Sequence, residues 1–174
     1  YLTIGGGGTV DLGDDNDTVV MGDGARLTGS VVGGLGNDQF IIGASASITG
    51  TIDGGADADS VDYSGTTGNR TITLNGNTIN GFGGTDCSLT GGFLGIDSLI
   101  GGPGISDRLI GQNVNALWTV DTVSTYRELT TLRAVTFTGF ENLQGNDKVD
   151  TFLLAAGANV TSIIGGITAS IDRL

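Results

Sequence analysis

The chain has 174 residues, of which 33 are glycine and one is proline, with 15% charged and 38% hydrophobic residues, no histidine and a net charge of −12. With no basic stripe to displace counterions and no run of about 18 apolar residues, this composition argues against nucleic acid, an anionic membrane surface or a helical membrane span. A three-residue glycine period is missing and proline is scarce, which excludes collagen.

Taken from the start, Tyr1-Leu-Thr-Ile4 is already strand-like, without an initiator Met or a signal core, so the chain reads as a processed product or a segment of something longer. Residues 9–29, 30–50 and 51 onward then align at a shift of about 21 positions. Asp17, Asp38 and Asp59 fall in one column, Val19, Phe40 and Val61 in a second, Met21, Ile42 and Tyr63 in a third. Val10, Val31 and Ile52 coincide, as do Ala25 with Ala46 and Leu27 with Ile48. Apolar columns in register at this period predict like units stacked along an axis. Within a unit, alternation sets Phe40, Ile42, Ile48 and Ile52 on one face, the pattern of strands. Thr, Val and Ile dominate these runs and helix signals are weak.

After Ser64 the register drifts through an insertion at residues 66–69. Gly95-Ile-Asp-Ser-Leu99 matches Gly139-Phe-Glu-Asn-Leu143 at a shift of 44, and residues 101–109 read as a lengthened form of the turn at 33–40. Residues 113–135 are expected to form a more charged coil or loop insertion, with residues 126–133 protruding. Trp118, in alternation with Val120, is expected in the core of a wider coil. Near the end, Asp150, Phe152, Leu154, Ala158, Val160 and Ile164 repeat Asp38, Phe40, Ile42, Ala46, Ile48 and Ile52 at a shift of 112. The fold expected is all-β: a single-domain parallel β-solenoid over residues 1–174, about 21 residues per coil, roughly eight coils and about 40 Å long.

The motif that carries chemistry is Gly33-Gly-Leu-Gly-Asn-Asp-Gln-Phe-Ile41, a match to the G-G-x-G-x-D-x-U-x nonapeptide of calcium-binding repeats. Its glycines let the backbone curl, its Asp supplies a hard oxygen and its apolar residue anchors the next strand. Calcium takes six to eight oxygens, so the loops stacked on either side must contribute. The candidate ligand set is Asp14, Asp15, Asp17, Gly33, Gly36, Asp38, Asp57 and Asp59. Asp15 and Asp57 stand where the fourth-position glycine belongs and Leu12 replaces the first, so simple turns in which Asp accepts backbone N–H groups are the competing reading. Stacked carboxylates at about 4.8 Å repel without a counter-ion, which favours some cation.

The run GGLGNDQFIIGASASITGTIDGGADADSVDYSG, with LWTV, VTFTGFENLQG and VDTFLLAAG further on, resembles the repeats of large bacterial surface proteins of the filamentous-haemagglutinin-like and RTX-like adhesin type. That resemblance implies secretion, a solenoid stalk and a role in adhesion, biofilm matrix or surface coating, at an extracellular or bacterial cell-surface location, with no reaction. Surface glycans are expected partners, and because neither the strand-like start at residues 1–4 nor the last residues before 174 carry a cap, the chain is expected either to continue into a longer parent array of repeats or to stack end to end with identical copies. A polysaccharide-acting enzyme is the alternative, with Tyr126, Arg127, Arg133 and Arg70 as the groups it would use. An ice-binding face is a third, but its Thr28, Thr49 and Thr161 column is broken by Arg26, Ser47 and Asn159. The single cysteine, Cys87, has no disulfide partner and is expected to be a small buried or idle thiol.

Overall fold

A computed structural model describes residues 7–166, and the end segments singled out above, residues 1–4 and the last residues before 174, lie outside them. The described residues form an all-β structure of two mixed sheets. The first unit contributes β1 (Gly8–Gly13), β2 (Thr18–Met21) and β3 (Arg26–Leu27). The second contributes β4 (Gly29–Leu35), β5 (Gln39–Ile42) and β6 (Ser47–Ile48), and the third β7 (Ile52–Ala56) and β8 (Ser60–Asp62).

Pairing between these units is parallel and keeps the sequence shift: Val10 faces Val31, Val31 faces Ile52, Val19 faces Phe40, Phe40 faces Val61 and Leu27 faces Ile48. Because a slip of one residue would turn every apolar side chain outward, burial of one face fixes this register. Val31, Phe40, Ile42, Ile48, Ile52 and Val61 are fully buried, as the alignment predicts.

The chain then departs from parallel pairing at a constant shift. β9 (Thr71–Thr78), β10 (Gly81–Asp86) and β11 (Leu89–Ile96) form an antiparallel meander in the first sheet, and β11 returns to lie parallel to β7, with Phe93 opposite Ile52. β12 (Ser98–Ile100) extends the second sheet beside β8, and β13 (Arg108–Ile110) pairs with the far side of β9. A second meander, β14 (Ala116–Val120), β15 (Ser124–Glu128) and β16 (Ala134–Thr138), fills the second sheet and ends parallel to β12. β17 (Asn142–Gln144), β18 (Asp150–Leu154) and β19 (Ser162–Ile164) continue both sheets. Each meander is therefore a forward jump followed by a return that fills the gap. Nine successive strands of the first sheet at about 4.8 Å span about 38 Å.

The inward side chains of both sheets form one core. Ile72, Leu109 and Leu143 make one of its columns, and Trp118 anchors another, paired with Phe152 on one side and Tyr126 on the other. Trp118 stacks on Phe152 at 5.4 Å between ring centroids and meets Tyr126 edge-on at 4.7 Å. Its burial beside Val120 is the expected one. Four placements differ from the sequence reading. Leu99 and Leu143, matched by alignment, lie in different sheets, because both corners of the stack use the same carboxylate-then-apolar signal. Leu154 is exposed, and at the last strand Ile163, rather than Ile164, packs toward the core, a one-residue slip after Val160. Tyr126 and Glu128 are buried in β15, so within 126–133 the exposed turn begins only at Leu129.

Candidate functional site

The predicted ligand residues lie at the corner where the chain passes from the first sheet to the second. Asp17, Asp38 and Asp59 do form a column there, and Asp97 continues it. The Asp17 N–H donates to Asp38 Oδ1 at 2.8 Å, the Asp38 N–H to Asp59 Oδ1 at 2.8 Å, and the Asp59 N–H to Asp97 Oδ2 at 3.3 Å. Neighbouring amides run the opposite way: the Asn37 N–H donates to Asn16 Oδ1 at 2.7 Å and the Ala58 N–H to Asn37 Oδ1 at 2.9 Å. A carboxylate thus holds the unit before it and an asparagine the unit after it, so each corner is stitched in both directions. The Asp residues accept backbone N–H groups, as the turn reading supposes, but from the adjacent unit rather than from their own loop. A hydrogen bond to a charged group contributes about 1.5–3 kcal/mol.

The loop conformation explains the fourth motif position. Gly36 has φ +113°, and Asp15 and Asp57 have φ +77° and +75°. Asp tolerates this left-handed region better than other side-chain-bearing residues, which is why it can replace glycine in the outer loops. In the middle loop it could not: a β-carbon at Gly36 would collide with the Asp15 carbonyl oxygen. Gly33 is likewise pressed against Asp38 Oδ2 and the Gly54 carbonyl.

Asp38 and Asp59 each use one carboxylate oxygen in this way. Oδ2 of Asp17, Asp38 and Asp59 is buried without a hydrogen-bond partner. Burial, reinforced by the charges of Asp38, Asp97 and Asp57 against the relief of the Asp38 N–H, pushes the Asp59 carboxyl up to about 6. Burial also raises Asp97. Asp14, Asp15 and Asp57 are exposed at the loop surface, and the Asp57 carboxylate accepts from the Gly36 N–H at 3.2 Å. As arranged, the carboxylates run along a line rather than around a point, and among the described residues no three of Asp, Glu, Cys or His converge. The unbonded oxygens suit a hard cation; their spacing along the column does not gather the six to eight donors calcium takes.

The opposite corner carries a second ladder that the sequence reading missed. The Arg70 N–H donates to Asp107 Oδ1, and the Asp107 N–H to Glu141 Oε2 at 2.9 Å. Here both carboxylate oxygens are used, because the Gly102 N–H reaches Asp107 Oδ2 at 3.0 Å. Asp150 is similarly engaged, by Trp118 Nε1 at 2.9 Å and the Asn146 N–H at 3.1 Å. The recurring Gly-x-Asp/Glu-Ser/Asn-Leu signal was the clue available for Asp97 and Glu141.

Of the groups named for polysaccharide chemistry, Tyr126, Arg127 and Arg133 lie on or beside the β15–β16 hairpin and Arg70 lies apart from them. Tyr126 is buried with its hydroxyl accepting from the Gln112 N–H at 3.0 Å, Arg127 points out by strand alternation, and Arg70 is at the other corner, 3.5 Å from Asp86. Thr28, Thr49 and Thr161 are exposed but occupy bends between strands. Cys87 is exposed rather than buried, since the two-residue turn between β10 and β11 places it at the surface. Comparison with protein-family models, with curated proteins and with solved structures gives no match.

Proposed function

We propose that this chain is a structural or adhesive module, a β-solenoid of about 21 residues per coil, working outside the cell at a bacterial surface or in its matrix, and performing no reaction. The observation that carries the reading is the parallel pairing at constant shift, Val10 to Val31 to Ile52, with the same core continuing through both meanders to Phe152 and Ile163. Each meander occupies strand positions that further coils would occupy, so the stack runs on without a break. A long, rigid, thin-cored stack with an acidic surface is suited to spacing and presenting, and the adhesin resemblance points the same way. Beads coated with the folded chain are expected to be retained under flow on polysaccharide-coated surfaces. Retention no better than that of beads coated with the heat-denatured chain contradicts the adhesive role.

End-to-end stacking of copies is part of the proposal, since unlike ends that pair do not close on themselves and give filaments. Sedimentation of the chain beside a variant with charges placed at Val160 and Ile163 tests it: loss of large species in the variant supports stacking, and monodisperse 17.5 kDa particles for both refute it.

Calcium stiffening is a second reading, favoured by the unbonded Oδ2 atoms of Asp17, Asp38 and Asp59. Those residues, with Asp14, Asp15 and Asp57 moving in from the loop surface, would hold the ion. Binding to the folded state alone raises stability by about 2.7 kcal/mol at a hundredfold excess over Kd. Melting that is unchanged between chelator and millimolar calcium removes this reading.

A further inference from the structure

A cavity of about 500 Å³ lies at the corner where the jump into β9 passes over the β10–β11 turn. Two of the chain's seven cationic side chains line it, Arg26 and Arg70. In a protein of net charge −12 this pairing is unexpected, and nothing in the stacking requires it. Arg70 is 7% exposed and loosely held: its Nη1 lies 3.5 Å from Asp86 Oδ1 and 3.7 Å from Cys87 Sγ, and its Nε lies 3.4 Å from Thr66 Oγ1. These are long contacts for a guanidinium, whose planar fork is made for two short bonds to a carboxylate. Asp86, meanwhile, is drawn to Ser88, accepting from both its N–H at 2.7 Å and its hydroxyl.

Beneath Arg70 lies the ring of Tyr63, with the guanidinium carbon 5.2 Å from the ring centroid. The Tyr63 hydroxyl is buried without a hydrogen-bond partner and lies in the field of Asp86, Arg70 and Cys87. An under-used buried guanidinium and an orphaned phenol at one place indicate unmet hydrogen-bonding capacity. The rest of the wall is small and hydroxyl- or amide-bearing, including Ser47, Thr67 and Asn69. A carboxylate on a polyhydroxylated ring matches this combination: the acid for the two arginines, the ring hydroxyls for the wall. The volume is in the range of small-ligand sites.

We propose that this cavity binds a carboxylate-bearing sugar, a uronate, and that it is the recognition site of the adhesive module; the inference rests on the adhesive reading. Arg26 and Arg70 hold the carboxylate, and Cys87 stands at the rim.

The single cysteine makes the test direct, because alkylation of Cys87 by neutral iodoacetamide reads occupancy of the cavity. D-galacturonate at ten times its Kd is expected to slow alkylation about tenfold, and D-galactose is expected to leave it unchanged. Arg26 is exposed, so Arg26→Gln should fold normally and weaken galacturonate about tenfold, while Arg127→Gln, remote from the cavity, changes nothing. No protection by galacturonate overturns the site, and equal protection by inorganic phosphate overturns its assignment to a sugar acid. Retention on polysaccharide without protection of Cys87 sinks the site and leaves the adhesive reading standing. Protection with no retention on any surface does the reverse.

Discussion

The two halves of the molecule solve one packing problem differently. From β1 to β8 the stack is built of repeated units with aliphatic columns, tight glycine loops and corner carboxylates that keep one oxygen unbonded. From β9 onward it is built of meanders with an aromatic cluster around Trp118, and the carboxylates Asp107 and Asp150 have partners on both oxygens. The repeat limits what each side chain can reach, since every unit presents the same groups at the same height. Irregular turns escape that limit and satisfy their acids locally.

The difference is broken most severely at its aromatic end. Trp118→Ala is expected to cost about 4–5 kcal/mol, because it removes a fully buried ring and the donor to Asp150. Trp118→Phe, which keeps most of the packing and loses the N–H, separates the two contributions at about 1.5–3 kcal/mol for the lost hydrogen bond to the Asp150 carboxylate. In the repeating half Phe40→Ala is expected to cost about 3–5 kcal/mol. Denaturant melts of these variants give the order directly, and a smaller cost for Trp118→Ala than for Phe40→Ala contradicts the assignment of the aromatic cluster as the second half's core.

Backbone contact between units is the next largest. Gly36→Ala must place a β-carbon on the Asp15 carbonyl at φ +113°, and should cost about 2–3 kcal/mol. At Gly76, in the meander, a β-carbon meets nothing within 4 Å, and alanine there is expected to change stability by less than about 1 kcal/mol. Equal melting temperatures for the two variants would remove the claim that loop glycines are dictated by the unit below.

Acid sharpens the comparison with opposite signs. The Asp59 carboxyl titrates at about 6 in the folded chain against 3.8 for an ordinary aspartate, so protonation favours the fold. Its contribution is fully present below about 3.8 and is lost as pH rises through about 6. The displacement corresponds to at most about 3 kcal/mol, and screening through exposed Asp57 and Ala58 reduces it. Glu128 behaves in reverse. Burial alone would raise it, but the hydroxyl and N–H of Thr131 and the N–H of Thr130 outweigh that and hold it down to about 2. Its contribution is present above 4.5 and is lost as pH falls toward 2. Melting temperature is therefore expected to rise between pH 7 and 5 and to fall below about pH 4, with Asp59→Asn flattening the upper limb only. A wild-type curve that falls steadily from pH 7 contradicts this.

Most of the repeating half was legible because its interactions are periodic: the columns through Phe40, Ile48 and Ile52 can be counted off the sequence, and burial then fixes the register. The meanders were hidden by the same logic. Asn80-Gly81 after a short alternating run is a hairpin signal, but at a 21-residue shift the segment aligns only as a drifting coil. The corner column of Asp17, Asp38 and Asp59 was visible as an alignment. Its bonding across units was not, since nothing in the sequence says whether an Asp accepts from its own turn or from the next. The Arg70, Asp86 and Tyr63 cluster depends on the jump into β9 crossing the β10–β11 turn, a contact between segments that no local pattern marks.

Hydrogen exchange at the corner amides tests most directly whether the units are held together as a stack. The N–H groups of Asp17 and Asp38 are expected to exchange as slowly as those of the β5 strand, and Asp59→Ala should accelerate Asp38 while leaving Asp17 protected. Corner amides that exchange at solvent rates in the wild-type chain, while the strands stay protected, would contradict the account.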